Sequence, residues 1–267
     1  MTEIAVIMCT YKRPERLRRT LELLNNQTGC GQICLYVWNN EPKHRSSIAK
    51  TVDKYRGNVR VKIHNSAKNV GGFGRFYYAK EISDRFPAVI FIDDDIEMAD
   101  NALATLVSEY KPHSIASFHA FKFISKCNYH RRVAARAGDR ADYCGTGGMI
   151  CDSRIFTEEN LFNCPREYWF VEDLWLCYYA AHIMHWSVRA SAAKFYCIED
   201  GKNQFNGVAD KKSLFLQYLI RQGWGVASRR STVSKCLDLI YRLSPKAYRL
   251  AAVVATKIRN RYEKTCG

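Results

Sequence analysis

An open, mostly parallel α/β sheet with helices on both faces is the fold class that this 267-residue sequence predicts. Three observations predict it. Short apolar runs alternate with amphipathic stretches through the first 110 residues. Apolar residues make up 47% of the chain, enough for one large core. Polar and acidic residues collect where the apolar runs end, which is where such sheets bind ligands.

IAVIMC is the first strand and ends at Thr10. PERLRRTLELLNNQ is amphipathic, with Pro14 near its first turn, and predicts a helix. ICLYVW is the second strand and ends at Asn39 and Asn40. Residues 46–56 predict a helix and VRVKIH a third strand. NVGGFGRF is a glycine-rich turn that leads into the helix FYYAKEISDRF. AVIFI is the fourth strand, with Asp93, Asp94 and Asp95 at its carboxyl end, and NALATLVSEY is the next helix. Beyond residue 110 the pattern is irregular. SIASFHAFKFI reads as a strand, residues 126–142 as a polar and basic loop, and GTGGMICD as a turn and strand. YWFVEDLWLCYYAAHIM opens with aromatics and continues as a helix; WSVRASA and KFYCI read as short strands.

The formal net charge of +15 calls for anionic partners. From Lys211 to Gly267, thirteen Lys or Arg stand against Asp238 and Glu263, so this tail carries +11 of it. Within PKAYRLAAVVATKIRNRY, the residues Ala247, Leu250, Ala251, Val254 and Ile258 share one helical face, flanked by Lys246, Arg249, Lys257 and Arg261. Such a helix suits an anionic membrane surface; packing on the rest of the chain, or a homodimer interface, is the plainer reading. No apolar run approaches the roughly 20 residues of a spanning helix. The N-terminus has no basic region ahead of a long apolar one, so no secretory signal is expected. The 11 cysteines form no close CxxC pair, and Cys9, Cys151, Cys177 and Cys197 lie in apolar runs. They read as reduced core thiols of a cytoplasmic protein. Cys127, His130 and Cys144 fit no common zinc spacing. The charge also raises a nucleic-acid-binding protein as a rival, but the excess lies in the tail and no binding motif accompanies it.

Three adjacent carboxylates at a strand end suit a hard divalent cation bound through oxygen. Mg²⁺ or Mn²⁺ held there keeps positions for substrate phosphates and acts as a Lewis acid. A solvated acidic turn capping the next helix is the alternative. NVGGFGRF could cradle phosphate with backbone N–H groups, or be a turn that needs glycine. Its spacing is not the dinucleotide fingerprint. Glu172 and Asp173 open a helix after four bulky residues. A carboxylate there could take the proton of an attacking hydroxyl, with Trp169 stacking on a sugar ring. The same charges could merely favour the helix dipole.

Taken in order, CTYKRPERL, NVGGFGRF, FIDDDIEM, GTGGMICD and FVEDLWL resemble the family 2 glycosyltransferases of GT-A fold, over roughly residues 4 to 200. The pairing of NVGGFGRF with DDDI is most similar to the branch holding galactofuranosyl- and rhamnosyltransferases of surface polysaccharides. The resemblance implies a Rossmann-like nucleotide-diphospho-sugar transferase domain at 1–210. Its nucleotide-sugar half would be 1–110 and its acceptor half 111–210, followed by the basic helical tail at 211–267. Thr10, Tyr11 and Arg13 match the motif around base and ribose, and Asn69, Gly71 and Gly72 the motif lining the nucleotide pocket. Asp93 and Asp95 match the metal-binding carboxylates, and Asp94 a ribose or metal contact. Gly147 and Gly148 match a turn beside the transferred sugar. Asp173 matches the catalytic base, with Glu172 positioning acceptor or sugar.

The implied reaction is one inverting displacement that uses Mn²⁺ or Mg²⁺. It moves a sugar from a UDP- or dTDP-sugar to a glycan or lipid-linked glycan. The implied setting is O-antigen, capsule or lipopolysaccharide synthesis on the cytoplasmic face of the plasma membrane, without nucleic acid as a partner. Two departures stand out. Asn39 and Asn40 replace the acidic pair that many relatives carry after the second strand; as nucleotide-binding residues they could still hydrogen-bond a pyrimidine edge, and base preference is open. A metal-binding His of many relatives falls in register near Cys197; His185 could be recruited by a shortened connection, and His119 is a more remote option. A nucleotidyltransferase, or an inactive relative that only binds nucleotide sugar, is the second rival.

Overall fold

The computed structural model describes residues 3–198, 209–226 and 239. Its first half alternates as the apolar runs predict: β1 (Glu3–Thr10), α1 (Arg16–Asn25), β2 (Gln32–Asn39), α2 (Arg45–Lys54), β3 (Arg60–Asn65), α3 (Gly74–Ile82) and β4 (Ala88–Ile92). There follow β5 (Ile96–Met98), α4 (Ala102–Glu109), β6 (Ser114–Ser117), β7 (Ala120–Phe123), β8 (Arg132–Ala134), β9 (Tyr143–Cys144) and β10 (Met149–Asp152). The last described elements are α5 (Glu172–Tyr178), β11 (Ser187–Ala190), β12 (Phe195–Cys197) and α6 (Ala209–Arg221).

The central sheet has the order β11-β6-β10-β4-β1-β2-β3, and only β10 runs antiparallel to its neighbours. Successive side chains of a strand point to opposite faces. Ala5, Ile7, Tyr36, Val89 and Phe91 therefore enter the core under α3 and α5. Val6, Met8, Leu35, Ile90 and Ile92 enter the one under α1 and α4. Burial on both faces is why these strands read as unbroken apolar runs. The carboxyl ends of β1, β2 and β4 consequently carry Thr10, Asn39 and the three aspartates to one edge.

SIASFHAFKFI divides into β6 and β7. The Ser117 hydroxyl donates to the Gly145 carbonyl and accepts from the His119 N–H, which turns the chain between them. β7 then joins β8 and β9 in a small antiparallel sheet, so the stretch expected to be a loop contributes a strand. Cys197 corrects the reading of the thiols: it is exposed, whereas Cys151 and Cys177 are buried.

The expected boundary at residue 211 falls inside α6. Phe215, Leu216 and Leu219 are fully buried in the core with α3 and α5, and the Phe215 ring stacks on Tyr168 at 3.9 Å. The Ser213 hydroxyl accepts the Tyr129 N–H. The amphipathic stretch 245–261 lies outside the described residues. No helix among the described residues is long and apolar enough to cross a membrane.

Candidate active site

A cleft of about 820 Å³ opens over the carboxyl ends of β1 and β4. It is lined by Thr10, Tyr11, Arg13, Asn40, Asn69, Gly71 and Gly72 from the first half, by Asp93, Asp94 and Asp95, and by Gly147, Glu172 and Asp173 from the second. Thirteen of the residues singled out from the sequence thus meet at one place.

The aspartates are made tolerable by arginine. Arg13 pairs with Asp94 and, at 3.0 Å, with Asp95. Arg75, on the first turn of α3, pairs with Asp93 at 2.9 Å and stands 3.4 Å from Glu172. Burial pushes the Asp94 carboxyl up to about 7 against the pull of Arg13, although Thr10 donates to it. Asp93 and Asp95 keep more exposure, with side chains 36% and 22% accessible. Asp93 Oδ2 lies 2.5 Å from where a Cβ on Gly147 would stand, so only glycine leaves that oxygen its space. Among the described residues no group of three or more His, Cys, Asp or Glu could hold a metal. Two accessible hard carboxylates nevertheless fit Mn²⁺ or Mg²⁺, which take one or two carboxylates and complete their shell with substrate phosphates and water.

The glycine-rich turn is held from both sides. Asn40 donates to the Gly71 carbonyl and accepts from the Val70 N–H, while Asn69 accepts from the Gly71 N–H. A Cβ on Gly72 would collide with the Glu172 carboxylate, so this glycine lets the two motifs touch. Asn39 corrects the expectation of a base contact. It is fully buried, donates to Asn65 and accepts from the Glu41 N–H, and does not line the cleft. Asn40 faces the cleft, but its amide is spent on bracing the turn.

Glu172 and Asp173 are both buried and differ in environment. Burial, with Asp173 beside it, pushes Glu172 up to about 7 against the pull of Arg75. Burial would raise Asp173 too, but Lys212 outweighs it and holds this carboxyl below the usual range. Lys212 Nζ lies 2.5 Å from Asp173 Oδ2, and the Tyr143 hydroxyl donates to the same oxygen at 2.5 Å. The Leu174 N–H donates to Oδ1. Neighbouring environments that push two carboxyls apart are how acid and base roles are divided. Burial pushes the Cys9 thiol up to about 12, so it supplies no thiolate to the cleft.

Other expectations need correction. Trp169 stacks on Phe73 at 5.2 Å and donates to the Cys164 carbonyl, so its ring is packed inward. Its neighbour Phe170 is the exposed aromatic at the cleft, against Gly71. Gly148 lies outside the lining, where its φ of 135° turns the chain into β10. His185 is exposed, with φ 55°, and does not line the cleft, so it does not join Asp93 and Asp95 as a metal ligand. His119 does line the cleft, its pKa pushed down by burial and by the charges of Lys212 and Arg132.

Sequence reasoning missed Arg75, Lys212, Tyr143 and Arg132, all of which line the cleft. Arg75 had a signal: a lone cation in an aromatic, buried stretch. Lys212 had none, because it sits in a run of basic residues.

The glycosyl transferase family 2 model matches residues 5–167, more than half of the chain. The chain belongs to glycosyl transferase family 2. As a member it is a glycosyltransferase, and solved structures share its fold. A mannosyltransferase from Pyrobaculum calidifontis, in complex with GDP-Man and Mn²⁺, superposes with a TM-score of 0.61 at 13% identity, covering 96% of this chain and 75% of that one. GalNAc-T7 with UDP, GalNAc and Mn²⁺ gives 0.54 at 13% identity, covering 74% of this chain and 44% of that one. TarS residues 1–349 of S. aureus in complex with UDP give 0.52 at 16% identity, covering 85% and 67%. The chain thus spans less than half the length of GalNAc-T7. No match was found among curated proteins.

Proposed function

We propose that the protein is a metal-dependent, inverting glycosyltransferase that moves a sugar from a nucleotide-diphosphate donor to a hydroxyl of a glycan or lipid-linked glycan. The observation that carries this reading is the meeting of the aspartates, the glycine-rich turn and the Glu172–Asp173 pair in one cleft. Similar solved folds hold UDP or GDP-Man, two of them with Mn²⁺.

Asp93 and Asp95 would hold the cation, which supplies a Lewis acid for the charge growing on the departing diphosphate. Arg13 and Arg75 pair with these carboxylates and orient them. Asp173, kept ionised by Lys212, takes the proton of the acceptor hydroxyl. The acceptor oxygen forms its bond to the anomeric carbon as the bond from that carbon to the diphosphate oxygen breaks. Attack from the opposite face inverts the centre. Glu172, its carboxyl pushed up by burial, can donate or accept a hydrogen bond to sugar or acceptor. The setting we propose is surface-polysaccharide assembly at a cytoplasmic membrane face, with the basic tail as the membrane contact.

The test is a calorimetric titration of UDP, dTDP and GDP, with Mn²⁺ and with EDTA, into wild type and Asp95→Ala. Metal-dependent binding of one nucleotide, lost in Asp95→Ala, is expected. No binding of any nucleotide under either condition would overturn the reading.

A further inference from the structure

Arg132, at the start of β8, lines the cleft with Tyr143, Asp173 and Lys212. Its guanidinium lies 4.0 Å from the Tyr129 ring centre and 4.5 Å from that of Phe121, and Nη1 donates to the Tyr129 carbonyl at 3.0 Å. These contacts fix its plane. Its Nε is buried without a hydrogen-bond partner.

The other cations deep in the cleft are each neutralised. Arg13 faces Asp94 and Asp95, Arg75 faces Asp93 and Glu172, and Lys212 faces Asp173. Among the described residues no carboxylate pairs with Arg132. The two acids of its own stretch, residues 122–142, are engaged elsewhere: Asp139 with Lys122, and Asp142 with the Phe123 N–H. That stretch holds six Lys or Arg against those two acids. An oriented guanidinium that lines a cleft without a carboxylate partner is matched by the planar oxygens of a carboxylate or by a phosphate. The donor diphosphate does not need it, because the proposed two-carboxylate cation site lies at the strand ends.

We propose that the acceptor substrate is anionic, carrying a phosphate or a carboxylate, and that Arg132 binds this group beside Asp173. The proposal rests on reading the cleft as a glycosyltransferase site and adds the chemical class of the acceptor.

The test uses the full chain with and without saturating UDP and Mg²⁺. Glycerol 3-phosphate, glucuronate and neutral glucose are titrated by calorimetry into wild type, Arg132→Gln and Arg132→Lys. One anion should bind at least about tenfold more tightly than glucose, with the same affinity whether or not UDP is present. Arg132→Gln should lose about tenfold or more, and Arg132→Lys should keep part of it. Binding of UDP should stay within about twofold in both variants. The phosphate and carboxylate arms decide which anion the site prefers. Equal binding of anions and glucose, an affinity unchanged in Arg132→Gln, or anions that compete with UDP would overturn the proposal; competition would assign Arg132 to the donor diphosphate instead. If wild type binds no nucleotide, the glycosyltransferase reading fails in that arm, and the anion arm is read separately.

Discussion

Asp173 owes its charge to one side chain. Burial alone would raise its pKa, and the opposing pull comes chiefly from Lys212, with hydrogen bonds from Lys212, Tyr143 and the Leu174 N–H. Lys212 stays protonated for the reciprocal reason: burial would lower its pKa, and Asp173 raises it. Removing the lysine leaves burial opposed only by the hydrogen bonds from Tyr143 and the Leu174 N–H, so the Asp173 pKa rises. Turnover needs the ionised carboxylate. The acid limb of the pH–rate profile of Lys212→Met should therefore move to higher pH, with kcat down by about 10²-fold or more and the donor KM little changed. Lys212→Arg should move the limb part of the way back. An unmoved limb in Lys212→Met would show that the lysine only packs. The pair also stabilises the fold above the ordinary Asp pKa, and that contribution is lost as pH falls through the lowered pKa of Asp173. A second residue-scale prediction concerns Gly72. Ala there meets the Glu172 carboxylate, so one of the two motifs must shift. Gly72→Ala should weaken UDP·Mn²⁺ binding by about tenfold or more in calorimetry, whereas Ala at Gly225, with nothing near its Cβ, should leave it unchanged.

At the scale of elements, α6 joins stability to the site. Phe215 is fully buried against Tyr168 and Trp175, three residues beyond Lys212 on the same helix. Phe215→Ala should cost about 3–5 kcal/mol in denaturant unfolding. It should also lower turnover, because the helix that presents Lys212 loses its anchor. Full activity in a destabilised Phe215→Ala would separate α6 from the chemistry. The same helix marks the limit of what was legible in the sequence. The parallel strands announced themselves, because burial on two faces leaves continuous apolar runs, and a strand end fixes where its next residue lies. Thr10 and the aspartates followed from that. Lys212 did not, because its partner is 39 positions away and a basic run looks the same solvated or buried. Asn39 and Trp169 were misassigned for a related reason: the sequence places a side chain near a cleft but does not say which hydrogen bond or ring has already claimed it. The turn at Ser117 depends on a carbonyl 28 positions away, which no local pattern reveals.

For the whole molecule, the charge is divided unevenly. Most of the +15 lies beyond residue 210, while the cleft itself sets arginines and a lysine against carboxylates. Under the membrane role proposed for the tail, that excess acts on lipid and not on the donor. An anionic bilayer attracts a juxtaposed basic segment by about 1 kcal/mol per Lys or Arg near its surface, and salt screens that attraction. Ten of the tail's thirteen cations lie beyond residue 226, so their removal should abolish it. The full chain should co-sediment with vesicles containing anionic lipid at low salt and release from them at about 0.5 M salt. A chain ended after Val226 keeps the buried contacts of α6, Trp224 and Val226 itself, so it should stay folded and bind UDP·Mn²⁺ as the full chain does. It should not bind the vesicles. Equal sedimentation of the two chains would refute a membrane role for the tail, and aggregation of the shortened one would assign the missing residues to packing.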